Sequence, residues 1–212
     1  HIEKNLDLLL ESAGDNYSFY NGKTGISFCY FLLAKTFNYE RNASIAIREV
    51  NSVINNFDSI NSFSFSKGLM GIGWGLEAMA QNGFIDSNTN ELLCDFDDFI
   101  YKQVSFFRSP SLSLDQGSLG KATYFYQRFL SPRKGQHPYR FLLNQECLSL
   151  LVDEIKFFLL NDENGLLLQK CILPKEEIIS VAQIAILLFR IYETRYNEKM
   201  ISNILKDILT YI

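Results

Sequence analysis

Residues 66–80, SKGLMGIGWGLEAMA, hold the chain's densest set of groups able to do chemistry. Gly68, Gly71, Gly73 and Gly75 would let a ligand reach backbone N–H groups, Trp74 is the single tryptophan and offers a stacking surface, and Glu77 adds a carboxylate. A phosphate cradle needs a strand before such glycines or a Gly-Lys-Ser/Thr string among them, and neither pattern is present, so the glycines read as packing elements. Trp74 reads as core, with a ligand platform as the alternative. Glu77 and Asp115, the latter just ahead of a later glycine pair, could form the two carboxylates of a glycosidase; a capping role for Asp115 is the commoner arrangement. If the chain has a ligand site, Gly68, Gly71, Trp74, Glu77 and Asp115 are the residues expected to line it.

Other reactive groups are sparse. Cys29, Cys94, Cys147 and Cys171 lie far apart, with no Cys-x-x-Cys spacing and only His1 and His137 as histidine partners, so they read as reduced core thiols and no metal ligand is assigned within the chain. DFDDF, residues 95–99, lacks the alternation and glycine of a calcium loop and reads as a solvated acidic helix face. SPRKGQHPYR, residues 131–140, is the most basic stretch and reads as a loop joining two helices, with peptide contact as a further role.

The elements that carry these residues repeat. Gly-x-x-Gly occurs at Gly22/Gly25, Gly68/Gly71 and Gly117/Gly120, each time after a polar, turn-like stretch (GDNYSFYN, SINSFSFS, RSPSLSLD) and before a run of apolar and aromatic residues. A more amphipathic helix follows each run, from Ala43, Thr89 and Asn144; in the last, Leu148, Leu151, Val152 and Ile155 recur at helical spacing while Asp153, Glu154 and Lys156 fall off that stripe. A fourth, degenerate unit sets Val181 and Ile184 where the glycines would stand, and HIEKNLDLLLESA in front makes one further amphipathic helix. No segment alternates with period two over a strand's length. The chain is therefore expected to be all-α, a single domain over residues 1–212 built from about four helical hairpins.

Composition narrows the function classes. Hydrophobic residues make up 47% of the 212, enough for a large core, so the chain is not disordered. The net charge of -4 and the scattered basic residues argue against nucleic acid as a partner. Apolar runs stop short of a membrane span, and no signal-peptide pattern opens the chain, which leads to the expectation of a soluble cytoplasmic protein.

With its three Gly-x-x-Gly helix starts, and above all the string GLMGIGWGLE, the chain resembles the lanthionine synthetase C-like family, the cyclases of lantibiotic biosynthesis and their relatives. The resemblance covers about residues 14–130. It implies an (α/α) toroid, here partial or open because family members have about seven hairpins. It also implies a peptide substrate or protein partner, with Gly68, Gly71, Trp74, Glu77 and Asp115 at the mouth of the ring. Family cyclases hold a zinc ion through two cysteines and a histidine, which activates the substrate thiol. The tryptophan-cysteine and Cys-His-Gly strings that supply those ligands are missing from this sequence, and no ligand carries over to any residue. Two readings follow: a truncated or catalytically reduced module that binds a peptide or protein partner, or the first half of an active cyclase whose zinc ligands come from another segment or subunit. In either case a homo-oligomer or second subunit is expected to cover the open ring.

Overall fold

A computed structural model describes residues 2–131, 138–161, 165–168 and 173–211. Among them the protein is all-α. Its helices are α1 (Ile2–Ala13), α2 (Lys23–Phe37), α3 (Glu40–Asn55), α4 (Leu69–Gln81), α5 (Thr89–Leu92), α6 (Cys94–Phe106), α7 (Ser118–Phe129), α8 (Pro138–Leu160), α9 (Lys175–Glu193) and α10 (Glu198–Tyr211). The helices gather into two compact units, His1–Phe96 with Ser131–Gly135 and Asp97–Leu130 with Gln136–Ile212.

In the first unit α2 packs on α1, α3 and α4, which covers an element whose sequence is apolar nearly all round. Ile26, Tyr30 and Phe31 of α2 are buried, as are Val50 and Val53 of α3 and Ile72, Leu76 and Met79 of α4. The spacing of Ala46, Val50 and Val53 is the inward stripe of an amphipathic helix. At its far end α4 stops at Gly83 (φ +70°), where Phe84 N–H reaches back to Met79 O and Gly83 N–H to Ala80 O. This C-terminal glycine motif turns the chain so that Phe84 stacks on Phe31, with ring centroids 5.1 Å apart.

In the second unit α7 packs on α8 and α9, and α9 on α10. Leu148, Leu151, Val152 and Ile155 of α8 are buried as their spacing requires, with Val181, Ile184, Leu188 and Ile191 of α9 and Ile201 and Ile204 of α10.

Several boundaries differ from the sequence reading. The amphipathic segment from Thr89 is two helices with a turn at the fully buried Leu93. Helix α8 starts at Pro138 rather than near Asn144, because proline suits the first helical turn, where its missing N–H has no partner to lose. The expected loop at 131–140 is thus helical from Pro138 to Arg140, and residues 132–137 lie outside the described residues. Helix α9 starts at Lys175 behind Pro174, so Val181 and Ile184 are core positions inside it and not its opening.

Candidate functional site

The three glycine pairs share one local geometry. Gly22, Gly68 and Gly117 each stand at the N-terminal boundary of a helix in extended backbone, with no side-chain cap. A tight preceding loop supplies the missing partner instead. Lys23 N–H donates to Asn16 O (2.8 Å), Leu69 N–H to Ser62 O (2.8 Å) and Ser118 N–H to Ser111 O (2.9 Å), which satisfies a first-turn amide that the helix itself leaves open.

Each loop is tied in the same way by a side chain. Ser18 N–H donates to Asn16 Oδ1 (3.1 Å), Ser64 N–H to Ser62 Oγ (3.4 Å) and Ser113 N–H to Ser111 Oγ (3.3 Å), a short side-chain turn of the Asn/Ser kind. The loops come so close that a Cβ on Gly22 would lie 2.5 Å from Ser18 O, and one on Gly68 or Gly117 would meet the backbone of Ser62 or Ser111. The second glycines answer to the same loops. A Cβ on Gly25 would run into Phe19 O, and one on Gly71 into Phe65 O. The glycines are therefore required by close backbone approach, and the repeat is longer than two glycines. Ser18, Ser64 and Ser113 occupy one register and Phe19, Phe65 and Leu114 the next, a pattern readable in NYSFYNGKTG, SFSFSKGLMG and SLSLDQGSLG once the turn is known.

Trp74 is half-buried among these loops, its ring 5.0 Å from Phe19 and 6.1 Å from Phe65, and 6.4 Å from Phe28 of α2. It seals the junction of the first two loops, where Tyr20 N–H also donates to Ser66 O (3.0 Å). Gly75 leaves room for this arrangement, since a Cβ there would lie 2.7 Å from Thr24 Cγ2 and 3.0 Å from Phe19 Cδ2.

Glu77 is 1% exposed and accepts a hydrogen bond from Gln81 Nε2 (2.7 Å). It borders a cleft of about 320 Å³ between the end of α4 and the start of α5, with Gln81, Asp86, Asn88 and Asn90 as polar neighbours. Asp115 belongs to the second unit, partly exposed in the turn before Gly117. Of the five expected ligand-lining residues, Gly68, Gly71, Trp74 and Glu77 share α4 and its boundary; only Glu77 borders the cleft, while the other three serve the loop junction.

A buried polar cluster lies in the second unit and overturns the reading of 95–99 as a solvated face. Asp97 and Arg128 are both fully buried, with Arg128 Nη2 2.6 Å from Asp97 Oδ2 and Nε 3.2 Å from Oδ1; Tyr124 Oη donates to Oδ1 (2.6 Å). Burial pushes the Asp97 carboxyl up, against the opposing pull of Arg128 and the Tyr124 hydroxyl. The signal was in the spacing: Leu93, Phe96, Ile100 and Val104 make the buried stripe of this segment, and Asp97 falls on it. Its neighbour Asp98 pairs with Arg140 (2.6 Å) at the start of α8.

Another polar cluster ties the segment before α7 in place. Ser109 N–H donates to the Glu154 carboxylate, and Lys121 Nζ donates to Ser109 Oγ (3.0 Å). Burial lowers the Lys121 amine, with Glu154 opposing.

The residues described do not fit a zinc site. Among them no three His, Cys, Asp or Glu side chains gather as metal ligands. Cys29 is exposed on α2 and Cys94 partly exposed at the start of α6. Cys147 is fully buried on α8, its thiol pushed up first by burial and then by Asp97 and Glu146, which is opposite to what a thiolate ligand needs. Cys171, His1 and His137 lie outside the described residues. No described helix is long and apolar enough to cross a membrane. No protein-family model, no curated protein and no solved structure matches this chain.

Proposed function

We propose that this chain is a catalytically reduced lanthionine synthetase C-like module that binds a peptide or protein partner in modified-peptide biosynthesis, in the cytoplasm. The observation that carries the reading is the threefold recurrence of one loop, one glycine pair and one apolar helix start, with the same hydrogen bonds at Asn16, Ser62 and Ser111. Hairpins of this kind are what that family assembles into an (α/α) toroid. The scattered thiols and the buried, proton-holding Cys147 favour binding over zinc chemistry. The polar cleft beside Glu77 is the place where this reading puts a contact with the partner. Elemental analysis of the purified protein should find far less than one zinc per chain; a full equivalent, retained through dialysis against a weak chelator, would overturn the reading.

A second reading, the first half of an active zinc-dependent cyclase completed by another segment or subunit, is favoured by one observation. Helices α9 and α10 expose Ile178, Ile186, Phe189 and Leu209, and a groove of about 500 Å³ runs between them. A further subunit, or a second copy of this chain, would cover that face. Light scattering decides: a stable monomer that binds no apolar dye excludes this reading.

A further inference from the structure

The starts of α4 and α9 differ in a way that opens a second cleft. Aligned on their boundary residues Gly68 and Pro174, Gly71 corresponds to Glu177 and Gly75 to Val181. In α4 the two bare positions let Phe19 of a neighbouring loop lie flush against the helix, since a Cβ on either would come within 3.0 Å of the Phe19 side chain. In α9 both positions carry side chains. Between the loop 111–113 and the first turns of α9 a cleft of about 350 Å³ remains.

Its walls are of two kinds. Leu112, Phe158 and Leu166 are apolar, whereas Glu176 and Glu177 bring two carboxylates and Ser180 a hydroxyl from α9. An apolar wall beside a carboxylate pair matches a long aliphatic stem that ends in a cation. Resting on the peptide-binding reading above, we propose that this cleft takes the side chain of a lysine or arginine of the bound peptide, with the stem on Leu112, Phe158 and Leu166 and the charge beside Glu176 and Glu177.

The test uses the full chain, isotope-labelled for NMR, titrated with the peptide acetyl-Ala-Ala-Lys-Ala-Ala-amide and with its norleucine counterpart. The lysine peptide should shift the amides of residues 111–113, 166 and 180 in a saturable way and bind about tenfold tighter than the norleucine peptide. Glu176→Gln/Glu177→Gln should remove that preference, and Ser180→Phe, which fills the cleft, should remove both peptides' shifts. Unchanged amide spectra away from the cleft show that each variant is folded. Equal binding of the two peptides, or a preference that survives the glutamine pair, overturns the assignment of a cation. Binding that shifts only amides elsewhere and ignores Ser180→Phe overturns the cleft while leaving the peptide-binding reading intact. No binding of either peptide overturns the cleft proposal, and the zinc measurement then bears on the wider reading by itself.

Discussion

Helix α4 in the first unit and helix α9 in the second are both apolar helices packed on the apolar helix before them, yet they meet their loops differently. At α4, Gly68, Gly71 and Gly75 let two loops close on the helix, with Phe19, Phe65 and Trp74 filling the junction. At α9, Pro174, Glu177 and Val181 replace those glycines and the corresponding place is an open, acidic cleft. The second unit also holds a fully buried ion pair and a buried thiol. The described residues thus give a sealed junction at the start of α4 and a cleft at the start of α9.

The largest expected effect tests the polar interior. Arg128→Met should lower stability by about 3–5 kcal/mol, because Asp97 would be left buried without its cation, whereas the double variant Asp97→Leu/Arg128→Met should recover much of the loss. Urea unfolding monitored by circular dichroism measures both; a double variant no better than the single one would show that the pair is held for more than charge balance.

Trp74→Ala should cost about 2–4 kcal/mol, at or below the range for fully buried aromatic truncations, because Trp74 is only half-buried. A loss under about 0.5 kcal/mol, the range of ordinary surface substitutions, would break the account of the sealed junction and restore Trp74 as a ligand platform. Gly71→Ala should cost about 1–3 kcal/mol, since the added methyl meets the Phe65 backbone, which cannot rotate away. The corresponding change in α9, Glu177→Ala, should stay within about 0.5 kcal/mol. Equal costs in thermal melts would erase the distinction between the two helix starts.

Stability should also respond to high pH. Burial raises the Cys147 thiol in the folded second unit, so the folded state keeps a proton that the unfolded chain releases above its ordinary value of about 8.5. Stability should then fall as pH rises past that point, by about 1.4 kcal/mol per pH unit while the folded thiol stays protonated. In the first unit burial raises the Cys29 thiol as well, which adds to the same loss, whereas Tyr30, raised by burial and then by its hydrogen bond to Asp7, starts to matter only above about pH 10. Cys147→Ala should reduce the loss between about pH 8.5 and 10; urea midpoints at pH 8 and 9.5 whose difference does not respond to the substitution would contradict it.

A gain is expected at Asn144, fully buried on α8 with neither its amide nitrogen nor its oxygen hydrogen-bonded. Asn144→Leu should raise stability by about 1 kcal/mol, since an unsatisfied buried polar group is removed and its branched shape kept. A loss on that substitution, read from the same melts, would point to a bound water or partner at the site.

Much of this architecture is legible in the residues. The stripe Leu148, Leu151, Val152 and Ile155 specifies which face of α8 is inward, and the glycine pairs mark three helix starts within a residue of where they fall. The candidate site was less so. Glu77 is buried because the end of α4 is covered around it, and Asp97 is buried because its stripe is apolar on either side; a reading of DFDDF as a run of charge hides that position. The start of α9 was misplaced because Val181 and Ile184 imitate the glycine spacing while Pro174, a better boundary signal, stands seven residues earlier.

The order of amino acids by itself determined the helical class, the two helix types and the threefold glycine repeat, since each depends on periodicity and on backbone approach within a few residues of chain. Only the tertiary structure decided that the glycines yield to loop backbone, that Asp97 is paired inside the second unit, and that α9 leaves a cleft. Burial and close approach depend on what a neighbouring element brings to a position, and no local spacing encodes that.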